Sequence, residues 1–248
     1  MSEAVETLDG WHVLHDFRRV DWDVWTAWTD RERRDALEAF QALWADWAAV
    51  DRARSGSFGA YQVVGHKADL LLLHFRPTLG ELVDVKFRLD KTPMGRVLRP
   101  ASSYLSIVEL SKYLAQGDAD PATNPYLKAR LEPAVPDKQA VCFYPMSKRR
   151  QGADNWYMLD RETRARLMRS HGTIGRRYHD RVIQIISGSQ GLDDWEWGVT
   201  LFADTALDFK KLVYEMRFDE ASARYADFGP FYVGTRVDFG DVERLLAV

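Results

Sequence analysis

Residues 170–198 read SHGTIGRRYHDRVIQIISGSQGLDDWEWG, and the order of elements within them decides the fold. The first part ends a helix that opens at Asp160. Leu167, His171, Ile174 or Gly175, and Tyr178 recur at three- and four-residue spacing and define one face of that helix. Gly172 and Gly175 leave low relief beside the histidine. A β-branched strand follows over 182–187, broken in character only by Gln184. Gly191-Leu192-Asp193 is a turn signal, and 195–203 (WEWGVTLFA) is a second strand. Working outward, 140–146 (AVCFYPM) supplies a strand before this block. A helix over 207–225 and a strand over 231–237 complete the order β-α-β-β-α-β.

The same order stands upstream. Residues 11–17 (WHVLHDF) form a strand, and a helix opens at Asp30 with Leu37, Phe40, Leu43, Trp44 and Trp47 on its buried face. Strands over 61–64 and 70–75 flank a turn at Gly65-His66-Lys67; a helix over 79–89 and a strand over 104–110 follow. DRERR at Asp30 is echoed by DRETR at Asp160, so the chain reads as an internal duplication. Pro121, Pro125, Pro133 and Pro136 mark the stretch between the copies as a linker rather than an element. A four-stranded sheet with helices on one face must bury its other face, and two such sheets can bury theirs together. The expectation is an α+β chain of duplicated ferredoxin-like units forming a dimeric α+β barrel within one chain. It divides into an N-terminal half over 1–116, a linker over 117–138 and a C-terminal half over 139–248.

Composition narrows the function. The chain has 248 residues, 46% hydrophobic and 29% charged, which provides for a packed core. A net charge of −3 argues against a nucleic-acid partner. The longest apolar run, 68–75, is interrupted by Asp69 and His74 and is too short to span a bilayer. The N-terminal MSEAVETLDG lacks the cationic and apolar parts of a signal peptide, and the single cysteine, Cys142, excludes an internal disulfide. Together these point to the cytoplasm.

Six histidines are present. His12 and His15, three apart on a strand, point to opposite faces and do not share a metal. His66 falls in a turn, and His74 reads as structural. The absence of HExxH, CxxC or a three-histidine spacing argues against a hydrolytic zinc site. Pattern alone favours His171 as a hydrogen-bonded core residue; the sharper reading is an axial ligand to haem iron, a role one histidine can fill. Tyr144, Met146 and Lys148 share a strand face by period two. Burying a lysine there calls for an anionic partner, unless Lys148 lies past the strand end in solvent with Arg149 and Arg150. Pro145, lacking a donor N–H, marks a locally unpaired strand or an edge. Arg217 and Ser222 read equally well as a solvated helix face and as reaching the same cavity.

Long strings carry a resemblance. YPMSKRR from Tyr144, DNWYML from Asp154, HGTIGRRY from His171, QIISGSQGLDDWEWGVTLF from Gln184 and KKLVYEMRFDEASARY from Lys210 resemble the coproheme decarboxylases of the chlorite dismutase superfamily. GWHVLHDFR and YQVVGHKADLLLLHFRP in the first copy extend the resemblance over essentially the whole chain. It implies duplicated ferredoxin-like units in a dimeric α+β barrel, with one haem site per chain, in the second copy. On this resemblance His171 is the proximal ligand to haem iron, Gln184 the distal residue, Tyr144 the radical carrier and Lys148 the lysine near a reactive propionate. Met146, Arg130, Arg217 and Ser222 match positions that hold propionates. The implied activity is hydrogen peroxide-dependent oxidative decarboxylation of iron coproporphyrin III (coproheme) to haem b through a three-propionate intermediate. Coproheme is then both substrate and redox centre, in the last step of coproporphyrin-dependent haem biosynthesis. A homopentamer and a transient contact with coproporphyrin ferrochelatase are implied as well. Chlorite dismutases carry an arginine where this chain has Gln184, which argues against chlorite as substrate. A general haem peroxidase and a non-enzymatic haem carrier are the rival readings. The neutral Gln184 counts against the first, and Tyr144 near a propionate against the second.

Overall fold

Side-chain caps fix where the long helices begin. Thr29 and Thr78 each accept a hydrogen bond from the backbone N–H three residues on, and Glu32 and Glu81 in turn accept one from the threonine N–H. Asp160 and Thr205 cap the two corresponding helices of the second copy. The computed structural model describes residues 4–111, 121 and 123–248. In chain order the elements are β1 (Thr7–Val20), α1 (Trp22–Ala27), α2 (Asp30–Ala53), β2 (Ser57–Val64), β3 (Leu70–Arg76), α3 (Leu79–Asp90), α4 (Met94–Val97) and β4 (Leu98–Ser111). Then come α5 (Pro125–Leu131), β5 (Ala140–Lys148), β6 (Arg150–Gln151), β7 (Asp154–Asn155), α6 (Arg161–Arg176), β8 (Ile183–Gly188) and β9 (Trp197–Ala203). The chain closes with α7 (Ala206–Met216), α8 (Glu220–Ala223), β10 (Ala226–Phe228), β11 (Tyr232–Arg236) and α9 (Phe239–Leu245). The series β1-α2-β2-β3-α3-β4 and β5-α6-β8-β9-α7-β11 repeat the expected order, and the protein is α+β.

The chain forms two compact units. Unit I comprises Trp11–Leu105, Glu132–Val135 and Gly234–Val248. Its strands run in the order β11-β2-β3-β1-β4, with β3 antiparallel to both β2 and β1. Under α2 lies a core of Phe40, Leu43, Trp47, Phe58, Leu70 and Leu72, extended by Val242 and Leu246 around α9. Unit II holds the described residues of 1–10, 106–131 and 136–233. Its sheet runs β4-β8-β9-β5, antiparallel throughout. Its core gathers Cys142, Tyr144, Val199, Leu201, Phe209 and Leu212 between sheet and helices.

Two sequence expectations need correction, and one open alternative is decided. The stretch read as a linker contains the helix α5; residues 117–120 and 122 of that stretch lie outside the described residues. The helix expected over 207–225 ends at Met216. The chain then turns through 217–219, and Asp219 opens the short α8 before β10. Of the two readings of Pro145, a locally unpaired strand or an edge, the first holds. β9 pairs with one side of β5 and β10 with the other from Met146 to Lys148. Pro145 falls just past the β10 ladder, where Gly229 N–H donates to its carbonyl. Among the described residues, no helix is long and apolar enough to cross a membrane.

Candidate functional site

Register sets the site face in unit II. Met146 pairs with Trp197, Tyr144 with Val199 and Cys142 with Leu201. Across the next pair, Gln184 faces Leu201, Ile186 faces Val199 and Gly188 faces Trp197. Directly paired residues share a face, so Tyr144, Met146, Gln184, Ile186, Trp197 and Val199 all lie on the helix side of the sheet. Lys148, the last residue of β5, continues that face.

His171 comes from α6, on the expected Leu167-His171-Ile174-Tyr178 stripe: Leu167 packs with Trp156, Ala221 and Tyr225, and Tyr178, just past the helix, joins the core on the sheet. Leu167 and Tyr178 are buried, while His171 is half-buried. Its Nδ1 lies 2.9 Å from Oδ2 of Asp219, a buried carboxylate. A carboxylate can only accept, so Nδ1–H donates, and Nε2 is the ring nitrogen that the neutral imidazole offers to a metal. Burial pushes the Asp219 pKa up, but the His171 hydrogen bond and the nearby Lys148 charge hold it below the usual carboxylate range. Oδ1 of Asp219 is buried and, among the described residues, makes no hydrogen bond of full geometry, although the Ser222 backbone N–H lies near the carboxylate and helps to lower its pKa. Opposite this helix, a β-carbon added at Gly175 would meet Gln184 Nε2 at 3.7 Å, an ordinary contact. The glycine therefore keeps the helix surface low where the exposed Gln184 stands.

Tyr144 is buried and stacks on Phe231, with ring centroids 4.4 Å apart and planes at 22°; Phe228 leans on it at 5.9 Å. Burial raises its pKa, with Arg217 opposing, so the phenol is neutral near pH 7. Lys148 is half-buried rather than free in solvent. Its Nζ sits 4.2 Å above the Trp156 ring. Burial pulls its pKa down to about 8 against the pull of Asp219 and Glu196. Arg149 pairs with Asp227 at 2.8 Å, and Arg150 is exposed. Arg217 caps the C-terminus of α7 and lies 3.5 Å over the Phe228 ring. Ser222 is buried in α8. Arg130 stands apart: it is exposed on α5 over Tyr126, and among the described residues it makes no hydrogen bond or ion pair with the others.

Unit II thus brings a histidine with a free ring nitrogen, a neutral buried phenol, a lysine poised near neutrality and an arginine into one neighbourhood. Asp219, Trp156 and Trp197 belong to it and escaped sequence reasoning. The DEAS string at Asp219 is a helix-start signature that could have broken the long helix there.

The family model described as "Chlorite dismutase" matches residues 33–237. A solved structure described as a novel heme-binding protein from Thermus thermophilus is 50% identical. The match covers 100% of this chain and 99% of that one, at a TM-score of 0.95. A mutant chlorite dismutase from Candidatus Nitrospira defluvii is 20% identical over 97% of each chain, at a TM-score of 0.79. The chlorite dismutase of the same organism in complex with imidazole is also 20% identical, over 97% and 96% of the two chains, at a TM-score of 0.75. These two share the fold.

Proposed function

This chain belongs to the chlorite dismutase family, and from that premise we propose that it binds coproheme and converts it to haem b with hydrogen peroxide. The observation that carries the reading is a buried neutral tyrosine and a lysine of lowered pKa on one face of β5, beside a histidine oriented to ligate a metal. The haem-binding description of the 50% identical relative supports the porphyrin part of it.

The residues present fit an iron porphyrin. His171 has a ring nitrogen left for the iron, held in its tautomer by Asp219. The buried Asp219 carboxylate marks a polar interior built around that histidine. Gly175 keeps the adjoining helix surface low. Lys148, Arg217 and Ser222, with Met146, are the groups that would hold propionates, each hydrogen bond to a charged group contributing about 1.5–3 kcal/mol; Arg130, which the resemblance adds, stands apart from them.

Bound iron, reacting with peroxide, supplies the oxidising equivalents. Tyr144 does the rest of the work at the substrate. Its phenol gives up an electron and a proton together, and the resulting radical takes a hydrogen atom from the β-carbon of a propionate. The carbon–carbon bond to the carboxylate then breaks, a second electron leaves, and a vinyl group and carbon dioxide remain. Each propionate yields two electrons to one peroxide, which becomes two waters. Lys148 pairs with the reacting carboxylate and can hold or release a proton near neutrality. Gln184 offers peroxide a hydrogen bond without an arginine's fixed positive charge, which disfavours chlorite chemistry.

The test is mass spectrometry of the porphyrin after stoichiometric peroxide. Wild type should yield haem b. Tyr144→Phe should bind coproheme with little change and leave it unreacted. Haem b from Tyr144→Phe at the wild-type rate removes Tyr144 from the chemistry, and unreacted coproheme in wild type overturns the decarboxylation and leaves the peroxidase and carrier readings.

A further inference from the structure

Register brings one acidic residue onto the site face that the reaction above does not use. Ile107 pairs with Gly188 and Val108 with Ser187, so Glu109 lies on the face of Ile107, Gly188 and Ile186. That is the face of Trp197, Met146 and Tyr144. Four strands therefore carry one continuous surface from Tyr144 to Glu109, three inter-strand steps or about 14 Å across. Such a span suits a flat ligand of porphyrin size.

Two features hold Glu109 there. Trp197 Nε1 donates to its Oε1 at 2.8 Å. A β-carbon at position 188 would come within 2.1 Å of its Oε2, so the carboxylate lies over β8 in the space that Gly188 leaves open. Among the described residues no lysine, arginine or histidine pairs with Glu109. Burial pushes its pKa up, the Trp197 bond opposes, and the nearby carboxylate of Asp9 adds to the rise. The opposite end of the face carries Lys148, with Arg217 above Phe228 beside Tyr144. The β5 end thus carries two cations, with Asp219 near the lysine, and the β4 end carries a carboxylate with no cation paired to it among the described residues.

We propose that Glu109 is a specificity-determining residue that keeps the carboxylates of a bound porphyrin away from the β4 end and directs them toward Lys148 and Arg217. The proposal rests on the porphyrin reading above. Its test compares the affinities of coproheme, with four carboxylates, and haem b, with two, in wild type and Glu109→Gln. Glutamine retains an acceptor for the Trp197 indole and removes the charge. Coproheme should then bind about fivefold more tightly, as expected for relief of one like-charge contact, while haem b changes by less than about twofold. The difference between wild type and variant should shrink in about 1 M salt, a response that a packing change would not give. An equal change for both porphyrins, or none for either, overturns the proposal. A wild-type protein that binds neither porphyrin overturns the porphyrin reading itself.

Discussion

Units I and II start from the same order of elements, yet one fills the space beside its first long helix and the other leaves it to polar groups. The eleventh residue past the N-cap is Phe40 in α2, counted from Thr29, and His171 in α6, counted from Asp160. Four residues later stand Trp44 and Gly175. The strand hairpins differ in the same sense. Starting from the pairs nearest the turn, Gln62 with Leu70 and Gly188 with Trp197, four residues back along the first strand gives Phe58 in unit I and Gln184 in unit II. In unit I the resulting rings close on one another. Trp44 meets Phe58 at 5.1 Å and 89°, Trp47 meets Phe58 at 5.4 Å, and Phe58 stacks on His74 at 4.9 Å. In unit II the corresponding positions offer a metal-ligand nitrogen, a glycine and an amide. A handful of side chains on a shared frame therefore separates a stabilising core from a chemical site.

The largest test of this contrast is in the filled unit. Trp47 is buried among Phe40, Phe58 and His74. Trp47→Ala should destabilise the protein by about 3–5 kcal/mol, read by urea or thermal unfolding, because it leaves a cavity that rigid neighbouring rings cannot close. Gln184→Ala, at an exposed position on the other frame, should stay within about 0.5 kcal/mol of wild type. Comparable losses in the two variants would mean that unit II is packed as tightly as unit I.

The next test transplants the filler. Gly175→Trp places in unit II the residue that unit I has at the matching helical position. The new β-carbon meets only the end of a flexible glutamine, and leaving glycine favours the helix by up to about 1 kcal/mol. Stability should hold or rise slightly, while coproheme affinity, followed by absorbance titration, should fall more than about tenfold. Wild-type affinity in that variant would show that Gly175 does not border the binding surface.

Much of this contrast was legible in the sequence, because it rests on period and composition. The α6 stripe of Leu167, His171, Ile174 and Tyr178, the β5 face of Tyr144, Met146 and Lys148, and Gln184 as the polar exception in an apolar strand all follow from spacing. What spacing could not reveal are contacts between residues far apart in the chain. Asp219 matters through His171, 48 residues away, and Glu109 through Trp197, 88 residues away. Periodicity also ran past the true end of α7, since Leu212, Val213 and Met216 continue the apolar stripe up to the turn in which the chain brings Asp219 to the histidine. Arg130 shows the opposite limit. A resemblance names it, but the geometry of α5 leaves it exposed over Tyr126.

The smallest expected effect concerns one cation in each unit, Arg18 and Lys148. In unit I, Arg18 is buried against Asp16 at 2.6 Å and Asp90 at 3.0 Å, so its charge is matched in place. Lys148 in unit II feels Asp219 and Glu196 but, among the described residues, forms no direct ion pair. Burial lowers its pKa from 10.5 to about 8, so folding disfavours its charged form. Below pH 8 both folded and unfolded chains hold this proton, and the penalty is fully present. Between pH 8 and 10.5 the folded chain releases the proton while the unfolded chain keeps it, so stability contributed at this position rises with pH; above 10.5 the penalty is gone. Lys148→Met, which keeps the length and removes the charge, should therefore stabilise the protein at pH 7 by on the order of 1 kcal/mol, with the gain fading across pH 8–10.5. Coproheme should reverse the sign at pH 7, because its carboxylates supply the partner that Lys148 lacks and the methionine variant cannot use them. Unfolding curves for both proteins, with and without coproheme, measure this directly. A gain from Lys148→Met that persists unchanged above pH 10.5 would assign the effect to packing and leave Lys148 as well matched in its unit as Arg18 is in the other.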